Sequence, residues 1–380
     1  MLFESLLEAG DVTLGTRLWA MFLYTVLLIV GWKKTLPELN TPNPYGKYLT
    51  GMVLFAVTDF LAPDFWNYIF EVESVWSFDY SEELHMEWIY QFFVFFVAGD
   101  YFLFRLLVWG GLLLIYTKVC KRWHTDTVAF LFLLLVFFSQ FASSRANLGV
   151  AVFYLGLSFL LMPIEEKRKR SIAIALALIA FSSIFHSTMT MLIAFTPMIF
   201  MPSIARLSKK VIITFLVLVI SLMIWVMNNP MEVIELLGSE SILQKFIFYM
   251  EEYDELEWGK PTGGISGWIT FIVRELRMLV PVIMLTLILR YKTEELPRNI
   301  VKTFNIVLAI TISAYTFRMM YPDVGVIALR MMNLTYPAIA LIVARMHTDK
   351  LISNTQLYML MAFPLLDTIY ENIYRFYGGW

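Results

Sequence analysis

Long, nearly charge-free apolar runs recur along the chain, and they constrain its fold more than any other feature. A helix needs about 20 apolar residues to cross the hydrocarbon core of a bilayer. The runs of that length, or close to it, are 17–32, 48–62, 101–117, 126–142, 146–162, 171–186, 189–205, 211–227, 268–290, 299–318, 329–346 and 353–366. We therefore predict an all-α polytopic membrane protein, with about twelve transmembrane helices in a single transmembrane domain over residues 1–380.

The composition agrees with a membrane protein and excludes several other classes. Hydrophobic residues make up 59% of the chain and charged residues 16%, whereas soluble domains carry about 25% charged residues. The net charge of −2 argues against a nucleic-acid partner, because neutralising phosphates requires clustered Lys and Arg. The single cysteine, Cys120, excludes a disulfide framework, and the 4 histidines have no HExxH-type spacing. We predict no metal site and no cofactor.

Basic and non-basic connections alternate between the apolar runs. The basic connections contain Lys33/Lys34, Lys118/Lys121/Arg122, the KRKR stretch at 167–170, Arg206/Lys209/Lys210, Lys292/Arg298 and Arg345/Lys350. Connections rich in Lys and Arg stay on the cytoplasmic side. The other connections, and both termini, are therefore predicted to face outward: 63–87, 143–145, 185–188, 228–266 and 319–328.

Two of the outward segments are predicted to have structure of their own. The run 88–98 holds about eleven residues, too few to span a core of about 30 Å, so we interpret 85–98 as a re-entrant or interfacial helix. The large outer loop 228–266 has apolar residues at helical spacing over 241–253, then an acidic and Gly/Pro-containing end. This loop is either a mobile flap over a site or a solvated connector.

Charged and polar side chains gather near the predicted outer face. An ionised side chain at the bilayer centre costs at least about 2.5–3.5 kcal/mol, so such residues are functional candidates. The candidates are Asp64, Tyr68, Glu87, Arg145, His186, Arg274, Arg277, Arg318 and Arg330.

Structural interpretations of these residues compete with the functional one. A histidine such as His186 at a helical hairpin is often a hydrogen-bonded packing residue, and Arg145 can snorkel to the headgroups. Glu87 stands where it can cap the re-entrant helix. The charges at 274–277 can form an ion pair that locks helices together. The sequence leaves both interpretations open.

The functional interpretation is an anionic substrate with acid–base chemistry. Arginine binds phosphate through paired donors, and histidine titrates near neutral pH and can accept a proton from an attacking hydroxyl. A lipid diphosphate that carries a sugar fits such a site, since its tail can lie between helices and its diphosphate at the headgroup level. Arginines would stabilise the charge that develops on the diphosphate leaving group.

Several motifs also follow one another in a distinctive order. Asp64-x-x-x-Tyr68 precedes Glu87 at the start of a short aromatic segment. SSRANLGVAVFYLGLSFL, a basic loop and IFHSTMTMLIAF come next, then ILQKFIFYMEEY and IALRMMNLTYPAIALIV. Over about 50–346 this order resembles the EpsG family of bacterial membrane proteins, which are Wzy-like polysaccharide polymerases. The resemblance implies a glycine-rich segment just before the aspartate, but this chain has TDFLAPDF at that place. Asp59 and Asp64 therefore stay alternatives for the functional carboxylate.

The resemblance implies polymerisation of exopolysaccharide, capsule or O-antigen repeat units at the outer face of the bacterial cytoplasmic (inner) membrane. The growing chain would pass from undecaprenyl diphosphate to the non-reducing end of a second lipid-linked unit, so lipid-linked oligosaccharide is both donor and acceptor. Membrane lipid and a chain-length regulator are the other partners predicted, and nucleic acid is not.

The predicted site follows from the motif positions and the charge cluster. His186 is the predicted general base, and Asp64 or Glu87 orients it or holds the sugar. The predicted substrate-binding residues are Arg145 and Arg330 on the donor diphosphate, Arg318 in support, and Tyr68, Arg274 and Arg277.

Three rival functions stay open. An O-antigen ligase would use the same donor but a different acceptor. A flippase for lipid-linked oligosaccharide would be expected to show two related halves, and none are visible. A membrane O-acyltransferase would need a site that opens toward cytoplasmic acyl-CoA.

Overall fold

The computed structural model describes residues 65–78, 86–138, 146–163, 167–186, 188–203, 217, 221, 265–291, 296–320 and 325–377. Every regular element in this part of the chain is helical, which confirms the predicted all-α class. In chain order the helices are α1 (Phe65–Ser77), α2 (Trp88–Phe96), α3 (Tyr101–Arg122), α4 (Thr127–Phe137), α5 (Ala146–Leu161), α6 (Arg168–Ser182), α7 (Met189–Phe195) with a 3₁₀ turn at Thr196–Phe200, α8 (Ile265–Tyr291), α9 (Arg298–Met320), α10 (Gly325–Asn333), α11 (Tyr336–Thr348) and α12 (Asn354–Tyr377).

Two of the described helices are long and apolar enough to cross a membrane, at Tyr101–Arg122 and Arg298–Arg318. Shorter apolar helices occur at Thr127–Phe137, Ala146–Leu161 and Met189–Phe200. These helices and the apolar composition agree with the predicted membrane class.

Several predicted segments lie almost entirely outside the described residues: the runs 17–32, 48–62 and 211–227 and the loop 228–266. The number of spans, the single-domain organisation and the two interpretations of the loop therefore stay predictions.

Helices α5 and α6 pack closely because α5 has glycines where the two helices meet. A Cβ on Gly156 would lie 2.9 Å from Ile179 Cγ1 and 3.0 Å from the Ala175 carbonyl oxygen. A Cβ on Gly149 would lie 2.9 Å from the Ser182 carbonyl oxygen. Small residues allow helix backbones in membranes to approach this closely. The close packing places the start of α5 beside the end of α6.

Side-chain hydrogen bonds tie several helices together at one end of the bundle. Arg122 at the end of α3 donates to Ser158 Oγ (2.9 Å) and to the Met162 carbonyl oxygen, both at the end of α5. Arg345 near the end of α11 donates to the Trp123 carbonyl oxygen at 2.8 Å. We call this end the basic end, and the opposite one, where α6 ends and α7 begins, the His186 end.

Helices α1, α2 and α3 form a corner at the His186 end. α2 lies within the segment predicted to be a re-entrant or interfacial helix, and Asp100 begins α3 by accepting the Leu103 N–H at 2.8 Å. Between them, Ala98 (φ 54°) and Gly99 (φ 74°) take the left-handed conformation that glycine favours. A Cβ on Gly99 would collide with the Trp76 ring of α1. The corner therefore joins three helices through a position that requires glycine.

Two predicted helix extents were wrong, and a third segment has structure that was not predicted. The connection 63–87, predicted to face outward, contains helix α1, and the side it faces stays a prediction. The run predicted as one helix at 329–346 is two helices, because Pro337 has no N–H for the Asn333 carbonyl and instead occupies the first turn of α11. The helix predicted at 353–366 continues to Tyr377, through a buried carboxylate at Asp367.

Candidate active site

Glu87 and His186 come together at the His186 end of the bundle. Glu87 immediately precedes α2, and His186 follows α6, yet Glu87 Oε1 lies 3.6 Å from His186 Nε2. The two side chains are 17% and 19% exposed, so each is mostly enclosed by protein and still reachable. The sequence predicted three catalytic residues, His186, Glu87 and Asp64. The structure brings the first two into contact.

The Glu87 carboxylate is directed at the histidine and not at its own helix. Glu87 is the N-cap residue of α2, with φ −62° and ψ 146°, but its side chain makes no capping hydrogen bond. Glu87 therefore occupies the N-cap position that the sequence predicted, but without a capping hydrogen bond from its side chain. Because the Glu87 carboxylate does not accept a hydrogen bond from the first turn of α2, it is available to His186.

Hydrogen bonds fix the protonation pattern of His186. The Thr188 N–H, which can only donate, lies 3.1 Å from His186 Nδ1, and Thr188 Oγ1 lies 2.9 Å from the same nitrogen. Nδ1 is therefore an acceptor, and in the neutral imidazole the proton is on Nε2, on the side of Glu87. A carboxylate beside an imidazole N–H is the arrangement that orients a histidine base and stabilises its charged form.

Aromatic packing holds the two chain segments against each other. Phe185, next to His186, is buried, and its ring lies edge-on to Tyr90 of α2 with 6.2 Å between centroids. Tyr90 in turn lies 6.4 Å from Phe104 of α3. These contacts hold the start of α2 against the end of α6, where the Glu87–His186 pair is mostly enclosed by protein.

Arg105 of α3 is a charged residue near this corner that the sequence analysis did not select. It is only 3% exposed, and its guanidinium lies 5.3 Å from the centroid of the Tyr68 ring and 5.8 Å from that of Trp109. Tyr68, one of the predicted substrate-binding residues, is itself 5% exposed and contributes its ring to this contact. The signal was present in the sequence, as a single arginine inside the apolar stretch YFLFRLLVW.

Two other predicted arginines form ion pairs between helices. Arg277 of α8 pairs with Asp367 of α12 and donates to the Tyr336 hydroxyl at 3.2 Å. Arg318 of α9 pairs with Glu275 of α8. Charges of the 274–277 segment therefore do lock helices together, through partners on α9 and α12. Their predicted role in substrate binding stays a prediction.

The remaining predicted residues divide into described and undescribed ones. Arg330 is exposed on α10. The α10–α11 junction beside it is held by Tyr154 of α5, whose hydroxyl donates to the Leu334 carbonyl oxygen at 3.0 Å. Asp64, Arg145 and the alternative Asp59 lie outside the described residues, as does the side chain of Arg274. Arg145 directly precedes α5, whose start packs beside the end of α6.

The described part of the chain offers acid–base groups and arginines but no cluster of metal ligands. Among these residues no three His, Cys, Asp or Glu side chains converge as a metal ion would require. The arrangement can accept a proton at the imidazole and stabilise the resulting charge with the carboxylate.

A comparison with protein families decides what kind of protein carries this site. The profile of the EpsG family matches residues 48–377. The chain belongs to the EpsG family. This confirms the resemblance carried by the motif order, and the match extends beyond the 50–346 stretch in which those motifs lie. No curated protein and no solved structure matches the chain.

Family membership supports a general role for the chain. The family is associated with glycosyltransferase-like polysaccharide polymerases, so membership fits a membrane protein of polysaccharide biosynthesis. The apolar helices agree with that role.

Proposed function

We propose that this protein polymerises lipid-linked oligosaccharide repeat units at the outer face of the bacterial cytoplasmic membrane. It would transfer a glycan from undecaprenyl diphosphate to the non-reducing end of a second lipid-linked unit. The observation that carries the proposal is the Glu87–His186 pair, an acid–base centre enclosed at one end of a helical bundle. Membership of the EpsG family supplies the general reaction class.

The proposed reaction begins with a hydroxyl of the acceptor sugar. Its oxygen attacks the anomeric carbon of the donor glycan while the bond from that carbon to the diphosphate oxygen breaks. His186 would accept the hydroxyl proton at Nδ1, because Nε2 carries the proton that faces Glu87, and the hydrogen bond from the Thr188 N–H to Nδ1 would open as the proton arrives. The Glu87 carboxylate then stabilises the imidazolium, as a carboxylate does beside a histidine base. The diphosphate leaves on its lipid.

Arginines would hold the diphosphate. Arg330 is exposed on α10, and Arg145 directly precedes α5, so both are candidates for paired donors to phosphate oxygens. Arg318 is engaged with Glu275, which favours a supporting role for it. Asp64 stays the alternative carboxylate for holding the sugar.

The charge bias supports this side of the membrane. Arg122 and Arg345 lie at the basic end of the bundle, which by the positive-inside rule would face the cytoplasm. The Glu87–His186 pair lies at the other end, which would then face the periplasm or the exterior. The proposed donor is itself lipid-linked, so the transfer needs no nucleotide sugar on that side of the membrane.

The test is an analysis of lipid-linked glycans in cells that lack the gene, compared with wild type. Accumulation of exported single repeat units supports a polymerase. Long polymer that stays on the lipid carrier and does not reach its final acceptor indicates a ligase instead. Single units trapped on the cytoplasmic side indicate a flippase. Either of the last two results overturns the proposal.

A further inference from the structure

Asn147, the second residue of α5, buries an amide nitrogen without a hydrogen-bond partner. The residue is 3% exposed, and nothing in the described part of the chain accepts a hydrogen bond from its Nδ2. Asn305 of α9 shows the usual arrangement, since its amide nitrogen is also buried but lies 3.2 Å from the carbonyl oxygens of Met198, Met201 and Pro202. An unsatisfied buried donor lowers stability. The Asn147 amide therefore calls for an acceptor that the described residues do not supply.

The amide stands at the positive end of α5. The first N–H groups of a helix have no partner within it, and the helix dipole adds partial positive charge at the same end. The first turn of α5 contains no Asp or Glu that would neutralise this charge. Because helical side chains lean toward the N-terminus of their helix, the Asn147 amide extends over the start of α5, and Arg145 directly precedes that start. All of these groups favour an anion.

The start of α5 lies close to the proposed catalytic pair. A Cβ on Gly149 would lie 3.1 Å from Phe185 Cβ, and Phe185 directly precedes His186. Asn147 is two residues before Gly149, which is about 3 Å along a helix axis. A ligand at the start of α5 would therefore be at the same end of the bundle as the imidazole.

The face of α5 that carries Asn147 is directed toward α10. Residues seven apart complete nearly two turns and share a helix face, so Asn147 and Tyr154 lie on the same side of α5. The Tyr154 hydroxyl donates to the carbonyl oxygen of Leu334, directly after α10. Arg330, which the sequence predicted to bind diphosphate, is on α10 about one turn before Leu334. Asn147 thus belongs to the same side of the bundle as both predicted diphosphate arginines.

We infer that the start of α5 binds the diphosphate of the lipid-linked donor and that the Asn147 amide donates to one of its oxygens. The inference rests on the proposed polymerase function and adds a binding residue to it. An amide NH₂ group can only donate, so its ligand atom is an acceptor oxygen. The helix dipole and the preceding arginine favour a charged phosphate oxygen over a neutral sugar hydroxyl. Negative charge grows on the diphosphate as its bond to the anomeric carbon breaks, and a fixed donor stabilises that charge.

The experiment measures lipid binding to the purified, detergent-solubilised full chain through its melting temperature, since a ligand of the native state raises it. The probes are undecaprenyl diphosphate, undecaprenol, which has the same tail without phosphate, and phosphatidylglycerol, which has an ordinary membrane phosphate. Asn147→Leu removes the amide, and Asn147→Asp keeps its shape but replaces the N–H donors with oxygen. Asn299→Leu is the matched control. Asn299 is the second residue of α9 at the basic end, where its amide donates to the Met162 sulfur at 3.4 Å.

We expect undecaprenyl diphosphate to stabilise wild type more than the other two lipids do. Its affinity should fall at least about 10-fold in Asn147→Leu and Asn147→Asp, because each loses a hydrogen bond to a charged group. Asn299→Leu should bind it like wild type. Without lipid, Asn147→Leu should melt at or above the wild-type temperature, because it removes an unsatisfied buried donor.

The outcomes separate this inference from the proposed function. Wild-type affinity in either Asn147 variant overturns the Asn147 site and leaves the polymerase proposal standing. Asn147→Leu protein that melts well below wild type without lipid gives the amide a structural role and also overturns the site. Equal stabilisation by phosphatidylglycerol assigns the site to an ordinary lipid headgroup, which overturns the inference. Wild type that does not distinguish undecaprenyl diphosphate from undecaprenol overturns the proposed donor, and with it the proposed function.

Discussion

Arg277 of α8 and Asp367 of α12 form an ion pair in the interior of the helix bundle, with side chains 5% and 0% exposed. The Arg277 guanidinium also lies over the Tyr336 ring, 5.2 Å from its centroid. The pair links the helix that follows the large loop to the last described helix. The pair also explains how α12 can contain a buried carboxylate, because the positive charge of Arg277 compensates the negative charge of Asp367.

Removing one member of this pair should destabilise the protein strongly. Asp367→Leu leaves the Arg277 charge buried without its carboxylate, and such losses cost about 3–5 kcal/mol. The double variant Arg277→Met/Asp367→Leu should recover most of that loss, because two apolar side chains replace two charges. Unfolding of the detergent-solubilised protein measures both. A single variant as stable as wild type contradicts the account.

The glycines of the α5–α6 interface give a second prediction. Gly156→Ala should lower the free energy of unfolding, because its Cβ would lie 3.0 Å from the Ala175 carbonyl oxygen and 3.1 Å from the Ile179 nitrogen, both backbone atoms that cannot move aside. Gly110→Ala in α3 is the control, since a Cβ there meets nothing within 4 Å and alanine favours the helix by about 1 kcal/mol. Melting temperatures should shift in opposite directions. Equal shifts would show that the close approach is unimportant.

The helical architecture was largely readable from the sequence, because long apolar runs in a membrane must be helical. The run predicted at 146–162 corresponds to α5 at Ala146–Leu161, and the run at 299–318 to α9 at Arg298–Met320. The extent of α12 was missed, because hydropathy treats Asp367 as the end of an apolar run. Only the position of Arg277 on another helix makes that carboxylate compatible with the interior.

The site was predictable as a set of residues but not as an arrangement. Glu87 and His186 were each selected as titratable groups in apolar surroundings, yet their contact depends on aromatic packing between α2 and the α6–α7 hairpin. Thr188 was missed because a threonine at the start of a helix is typical of a cap. Its alternative hydrogen bond to His186 is a matter of side-chain direction, which the sequence does not specify.

Two threonines of α9 give a third prediction, on buried hydroxyls. Thr303 is fully buried, and within the described part of the chain its Oγ1 has no hydrogen-bond partner. Thr311, on the same helix, donates to the Val307 carbonyl oxygen at 2.8 Å. Thr303→Val should therefore raise the free energy of unfolding by about 1–3 kcal/mol, because it removes an unsatisfied polar group. Thr311→Val should lower it or leave it unchanged. The reverse order of melting temperatures would contradict this.

Arg145 gives a fourth prediction, which tests phosphate binding directly. Arg145→Lys keeps the charge but not the paired donors of the guanidinium, so polymer formation should fall sharply while membrane insertion is normal. Lys118→Arg, at a basic position in the second half of α3, is the control and should keep full activity. The length distribution of lipid-linked glycan on a gel measures both. A wild-type ladder from Arg145→Lys would mean that Arg145 only reaches to the headgroups.

The Glu87–His186 pair is tested most directly by polymerisation with purified protein in lipid vesicles. Wild type, His186→Ala, Glu87→Gln and the double variant each receive lipid-linked repeat units from cells that lack the gene. We expect wild type to extend the units into a ladder and His186→Ala to lose activity by about 100-fold or more. Glu87→Gln should also be slow, and the double variant should be no slower than His186→Ala, because the two residues act as one unit. A full wild-type ladder from correctly folded His186→Ala would contradict the account.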